Sequence, residues 1–443
     1  MLTSTRVALG LTTALSLVAC SPTLPTTQDM TPYPSAPTAD GRVKILAQAS
    51  LPPTELTALG YSTEQVVRAR ANGLANTALP AIGSGLVALP NGEFLGITDR
   101  GPNEDHLNAE GKADGKIFPL PEFAPTLTRF RVEGQTIVPV GFTRLTGPEG
   151  QGITGLTNMK GEELPFENQA STTPLPFNVN GMDTEGLARF PDGRLITVEE
   201  TSPSIAILSE GGQVLMRYTP VSKALTGAAY PVKNILPDVY AQRRSNRGFE
   251  NVSLSGDGKT AWVTLQSPMG DTKADAYKSS RILRTLKLDV TDPLDARVVG
   301  EYLTRGSAIG DYPAGGKQAD LKFSDTAWIT GEKLLTLERA AGLVQLFVDD
   351  FSAATNVLNL PDQGKLTYED IATDLAALGI QTSTRKLVFK SADAGIMDDK
   401  LEGLAILTPS TIALTNDNDF GIGDNKTGTP SKIWVVQLGQ RLK

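Results

Sequence analysis

The 443-residue chain contains one cysteine and one histidine. A single cysteine excludes an internal disulfide, and a single histidine excludes a zinc site built on clustered imidazoles. Any Ser-His-Asp arrangement has only His106 to draw on. The chain lacks a G-x-S-x-G elbow and a G-x-x-x-x-G-K-[ST] phosphate loop, which removes two common hydrolase and nucleotide-binding devices. Positive charge is also short: 41 Lys and Arg stand against 49 Asp and Glu, a net charge of −8. That balance provides no basic stripe for nucleic acid. What chemistry remains rests on carboxylates, arginine and a metal with oxygen ligands.

Beyond the first twenty residues no stretch is long and apolar enough to cross a bilayer. Residues 1–19 carry Arg6, an apolar run and a small-residue end, the pattern of a secretory signal peptide. Their end, Leu17-Val18-Ala19-Cys20, resembles a bacterial lipobox, which makes Cys20 the expected lipidation site and new N-terminus. The alternative is an ordinary cleaved signal with a chance cysteine. Residues 20–41, rich in Pro, Thr and Ser, read as a flexible tether. The expectation is a bacterial envelope protein, extracytoplasmic (periplasmic or on the outer surface), meeting the membrane through its lipid anchor only.

With 43 Gly and 29 Pro, the remainder, 42–443, reads as turn-rich β structure. One hairpin recurs: SGLVALPNGEFLGITDR from Ser84, EGLARFPDGRLITVEET from Glu185 and ENVSLSGDGKTAWVTLQ from Glu250. EGLAILTPSTIALTNDN begins at Glu402, and a looser copy starts at Asp325. Asn-Gly or Asp-Gly between period-2 apolar runs is a strong hairpin signal. Further strands are expected at 127–142, 204–219, 281–303, 343–348 and 431–439. Two hairpins per unit make a four-stranded sheet, and repeated sheets make a β-propeller. The fold expected is all-β, a propeller of five or six four-stranded blades, its ring closed by an N-terminal strand at 42–50. A β-sandwich or two β domains is the alternative. Residues 368–380 read as a short helix, and 146–180 as a long loop.

In such a hairpin the residue before the first strand and the residue after the second lie side by side. The first position holds Ser84, Glu185, Glu250, Asp325 and Glu402; the second holds Asp99, Glu200 and Asp417, with Gln266 and Glu338 close by. Inner hairpins would bring both sets to one mouth of a central channel. Clustered carboxylates repel and raise one another's pKa, and a cation such as Ca²⁺, which takes six to eight oxygens, removes that penalty. Glu185, Glu250, Glu402 and Asp417 are therefore the candidate metal ligands. In the competing reading the acids cap turns or pair with Arg100, Arg247 and Arg339.

The stretches SGL…TDRGPN (84–103), DTEGLA…DGR…VEE (183–200), RGFENVSLSGDGKTAWVTLQSP (247–268), LLTLERAA (334–341) and LEGLAIL…LTNDNDFG (401–421) resemble the "esterase-like activity of phytase" family of secreted bacterial proteins. The resemblance spans most of 42–440. The E-G-L openings are similar, more distantly, to those of calcium-dependent lactonase and strictosidine-synthase-like propellers, where such a Glu reaches a central metal. The family resemblance implies hydrolysis of phosphate or carboxylic esters. The R-H-G-x-R-x-P signature of histidine acid phytases is absent.

Asp99 and Arg100, in TDRGPNEDH, and Glu200 are candidate catalytic groups, with His106 as acid or base. Arg100 is also a candidate bidentate clamp on an anionic substrate, with Arg339 and Asn416 as further substrate contacts. His106, beside Glu104 and Asp105 on an expected exposed loop, has a plain surface reading too. Glu338 and Arg339 read as an ion pair. The function expected is a metal-dependent hydrolase of a small phosphate or carboxylic ester, with Ca²⁺ the expected divalent metal. Two alternatives stay open: a non-catalytic propeller binding a sugar, peptide or partner protein, and a calcium-dependent lactonase.

Overall fold

The computed structural model describes residues 33–443 apart from 314, 341, 363–365, 398–399 and 424–427. The signal, Cys20 and the first part of the tether lie outside the described residues.

Along the chain, β1 (Lys44–Ser50) is followed by a helix, α1 (Thr63–Ala71), then β2 (Gly85–Ala88) and β3 (Phe94–Ile97). β4 (Glu104–Leu107) and β5 (Ala113–Ile117) interrupt the series before β6 (Thr126–Glu133), β7 (Thr136–Arg144) and the short β8 (Pro165–Phe166). One sheet comprises β9 (Thr184–Arg189), β10 (Leu195–Glu199), β11 (Ser204–Leu208), β12 (Val214–Pro220) and β13 (Val232–Leu236). The next comprises β14 (Phe249–Leu254), β15 (Thr260–Leu265), β16 (Ile282–Asp289) and β17 (Arg297–Arg305). A third holds β18 (Lys322–Thr330), β19 (Lys333–Ala340), β20 (Leu343–Asp350) and β21 (Thr384–Lys390). β22 (Leu401–Thr408), β23 (Thr411–Asn416) and β24 (Lys432–Gln437) complete the described strands.

The protein is all-β with a propeller-type arrangement of sheets. β24 pairs antiparallel with β1, so the first and last strands share a sheet. A single parallel bridge, Ser50 to Thr136, joins that sheet to β2-β3-β6-β7. The strands β2, β9, β14, β18 and β22 each pack against the next, and β22 packs against β2. Residues on β9, β10 and β11 are buried almost throughout because neighbouring sheets cover both faces. Ile196, Val198, Ile205 and Ile207 meet Val252, Ala261 and Val263 in one such interface.

This close inner packing explains the glycine of the E-G-L motif. A Cβ on Gly186 would stand 2.6 Å from the Asn251 Cα, which no side chain tolerates. Gly186→Ala is therefore expected to cost about 1–3 kcal/mol by overpacking, measured as a lower urea midpoint with unchanged slope.

Two expectations need correction. Residues 368–380 form turns, not a helix: the Asp370 and Asp374 carboxylates accept from Ala372 N and Ala376 N, local bonds that compete with helix. The helix lies instead at α1, where Ser62 and Gln65 form a reciprocal capping box. The end of the expected tether is fastened down, since Thr408 and Thr411 donate to Pro34 O at 2.6 and 2.7 Å and Gln437 to Ala36 O at 2.9 Å.

Among the described residues no helix is long and apolar enough to cross a membrane.

Candidate functional site

A cavity of about 570 Å³ opens where the inner strands begin and their neighbours end. The register of the hairpins shows why polar groups gather there. In each of four hairpins the inner strand carries a bulge near its start, leaving one extra residue at Glu185, Glu250, Ser324 and Glu402. Bulges re-aim side chains, and the three glutamates all line the cavity. In the fourth repeat Ser324, and not the expected Asp325, occupies the bulge. Asp325 is spent on backbone, accepting from Thr326 N at 2.8 Å and Leu404 N at 2.7 Å.

Two residues before the bulge stand Asp183, Lys322 and Lys400, opposite Glu200, Arg339 and Asp417 on the second strands. Thus Arg339, not Glu338, shares the position of Glu200 and Asp417. Neighbouring residues of a strand face opposite ways, so the two do not pair. Glu338 joins Arg385 at 2.7 Å, while Arg339 joins Glu402 and donates to Ser324 Oγ at 2.6 Å.

The cavity brings together Asp99, Arg100, Glu185, Glu200, Glu250, Glu402 and Asp417 of the residues singled out from sequence. Asp183, Lys322 and Lys400 join them. The signal for Asp183 was its place two residues before Glu185, since alternate residues of an extended chain share a face. Arg339 and Asn416 do not line the cavity. Asn416 holds backbone, accepting from Lys432 N at 2.6 Å and donating to Pro430 O at 3.4 Å. His106 is buried rather than exposed, on β4. It is stacked on Phe166, with Asp114 Oδ1 2.6 Å from Nδ1 and Ser171 O 3.1 Å from Nε2. Both ring nitrogens are engaged away from the cavity, so His106 braces the β4–β5 hairpin and reaches no substrate there.

Charge is unevenly spread. Lys400 lies 3.1 Å from Asp417 and 3.6 Å from Glu402, and Arg339 also pairs with Glu402. These contacts neutralise two of the four expected metal ligands. Across the cavity the acids have less relief. Asp183, Glu185 and Glu200 are all buried, with one oxygen of each within 4.8 Å of the others. Among the described residues the Glu185 carboxylate makes no hydrogen bond or ion pair. Gln266 Nε2 donates to Glu200 at 2.6 Å and to Glu250 at 2.8 Å, tying the next acid to the group. Burial, then the charges of Glu250, Glu200 and Asp183, push the Glu185 carboxyl well above its ordinary range. Glu200 is raised by burial and by Glu250, and Glu250 to about 7 by burial and Glu402.

Arg100 holds this group from behind. Its guanidinium meets Glu163 at 2.9 Å and Asp183 at 3.4 Å and donates to Asn246 Oδ1 at 2.9 Å. It therefore positions Asp183 more than it clamps a ligand. Glu199 supports the same turn, accepting from Ser202 N at 2.7 Å while lying 3.4 Å from Arg217. Three carboxylate oxygens gathered this closely are a donor set able to hold a divalent cation. On the other wall the Lys322 ammonium makes no ion pair or hydrogen bond among the described residues, and burial pulls its pKa down to about 8.

Fold and site together define a propeller-type protein with a carboxylate-rich cavity at the centre of its sheets. The chain belongs to the phytase-like family, described as having the esterase-like activity of phytase, whose model matches residues 78–420. It is similar to an uncharacterized secreted protein of Arthroderma benhamiae, 24% identical over 173 residues, 33% of this chain. The match spans about a third of that relative's length, 34%. Among solved structures it is similar to the PQQ-bound aldose sugar dehydrogenase of Streptomyces coelicolor, at 12% identity and TM-score 0.38, covering 91% of this chain and 99% of that one. It is also similar to the periplasmic gluconolactonase PpgL of Pseudomonas aeruginosa, at 12% identity and TM-score 0.31, covering 82% and 87%.

Proposed function

We propose that this protein is a metal-dependent hydrolase of phosphate or carboxylic esters, working outside the cytoplasm from a lipid anchor at Cys20. The scaffold is a five-bladed propeller closed by β1, a reading supported by the circular packing of β2, β9, β14, β18 and β22. The observation that carries the function is the buried trio Asp183, Glu185 and Glu200 facing the cavity. These residues would hold a divalent cation, with Glu250 beside them. Such an ion supplies Lewis-acid polarisation and a nucleophilic oxygen near neutral pH. Lys322, without a protein partner of its own, receives the negative oxygens of the ester. Arg100 and Glu199 fix the Asp183–Ser202 segment so that the trio keeps its spacing.

Purified protein is expected to carry a divalent ion by elemental analysis and to turn over p-nitrophenyl phosphate or p-nitrophenyl acetate in a chelator-sensitive way. Chelator-sensitive turnover of a lactone alone would move the reading to a lactonase. Inertness on all three substrates with metal supplied would leave the cavity a binding site and end the hydrolase reading.

A further inference from the structure

A second cavity, of about 800 Å³, lies beside the first, lined by the Gln242–Arg247 segment with Gly270, Tyr277 and Lys317. Two guanidiniums define it. Arg244 donates from Nε to Gly270 O at 2.9 Å and from Nη2 to Tyr277 O at 3.3 Å. Arg247 donates from Nη1 to Ser267 Oγ and Ala319 O, both at 2.9 Å. All four acceptors are uncharged, and neither arginine has an ion pair among the described residues. The adjoining Arg243 differs, since it is paired with Glu162.

Two carboxylates also line the cavity, each held by a local backbone bond and ion-paired to neither arginine. Asp271 accepts from Lys273 N at 2.9 Å and Asp320 from Lys317 N at 2.8 Å. Arg244 Nη1 is buried with no acceptor at all. Burial, and then the charge of Arg247, pull the Arg244 pKa down to about 10. With Arg243 offset by Glu162, Arg244, Arg247 and Lys317 stand against Asp271 and Asp320, so the lining is net positive and neither guanidinium has a paired carboxylate; an anion that joins them is favoured.

We infer that this cavity is an anion site in which Arg244 and Arg247 clamp a phosphate-like oxyanion. The guanidinium fork matches an anion offering several oxygens, and Arg244 Nη1 is left without an acceptor to meet one. Lys317 adds a third positive charge at the rim. Asn246, between the two arginines in sequence, lines the central cavity and bonds Arg100. One short segment therefore serves both spaces, and an anion held by Arg244 and Arg247 sits next door to the proposed reaction site. The inference does not depend on the hydrolase reading, because it concerns binding without turnover.

The test is calorimetric titration of inorganic phosphate into chelator-treated protein, at constant ionic strength with chloride. Wild type is expected to bind, Arg244→Gln to bind about tenfold or more weakly, and Arg244→Lys to fall between, as loss of a charged hydrogen bond implies. Phenyl phosphate in place of phosphate distinguishes an esterified from a free phosphate as the occupant. Unchanged affinity in a folded Arg244→Gln protein, or no phosphate binding by wild type, overturns the inference. Should Arg244→Gln fail to fold, wild-type crystals soaked in selenate decide: anomalous density between Arg244 and Arg247 supports the site, and its absence there overturns it.

Discussion

Glu185→Gln is expected to lower turnover by about three orders of magnitude while making the metal-free protein more stable. The first effect follows from loss of a charged ligand at the trio, where a bound metal contributes several kcal/mol to the barrier and each 1.36 kcal/mol is about tenfold in rate. The second follows from the surroundings of Glu185, which lies among Glu250, Glu200 and Asp183 with no protein partner. Its folded pKa is raised above the ordinary carboxylate value. The stability it contributes is therefore fully present below about pH 4.5 and is lost as pH rises through the folded pKa. Glu250 behaves alike, its contribution lost as pH rises through about 7. Metal-free wild type should thus lose roughly 1–3 kcal/mol between pH 5 and pH 8, and the glutamine variant less. Added Ca²⁺ should reverse the loss in wild type and do little for the variant. Denaturant melts at both pH values, with chelator or with Ca²⁺, read these signs directly. A variant with wild-type turnover, or metal-free stability flat across this range, would contradict the account.

Arg284→Ala is expected to destabilise the fold by about 3–5 kcal/mol, the cost of leaving buried carboxylates without their cation. Arg284 projects from β16 and is fully buried. Its guanidinium meets Glu369 at 2.6 Å and Glu301 at 3.4 Å, pairs also with Asp362, and lies 5.0 Å from the Tyr368 ring centroid. It therefore fastens the segment between β20 and β21 to the neighbouring sheet, alongside Val357, Tyr368, Leu375 and Ile380. Removing it strands Glu369, which is 1% exposed. The variant's loss should be larger at pH 8 than at pH 5, because Glu301, whose carboxyl burial already raises, can take up a proton at the lower pH once Arg284 is gone. A loss under 1 kcal/mol at pH 8 would show that the pair network contributes little.

Much of this was written in the chain at short range. The turn glycines Gly92, Gly193 and Gly258 all adopt positive φ, at 84°, 97° and 69°, and the hairpins they close are β2–β3, β9–β10 and β14–β15. Repetition of that signal pointed to radially arranged sheets, and the E-G-L openings pointed to one crowded mouth. Long-range pairing was not legible. Arg339 was one of three arginines available to the acids, but nothing near Glu402 marks it, 63 residues away, as that residue's partner, and the nearer contact of His106 with Asp114 carries no sequence signal either. The bulge also hid the fourth repeat's register, because one extra residue shifts Ser324 into the place expected for Asp325. At 368–380 the apolar spacing suited a helix, yet the pull of Arg284 on Glu369 and the Asp side-chain turns won.

The pairing of β1 with β24 bears on how the chain folds. Lys44 lies opposite Gln437 and Ser50 opposite Lys432, so this sheet cannot be completed until nearly four hundred residues have been made and brought round. Contacts of such sequence separation form late and slowly. Until then the chain's ends stay unjoined, and β24 waits as an exposed strand edge until β1 reaches it. The same neighbourhood makes a permuted protein feasible: a linker joining 443 to 42, with new ends cut in an exposed turn such as Pro90–Gly92, would turn the slowest union into a local one.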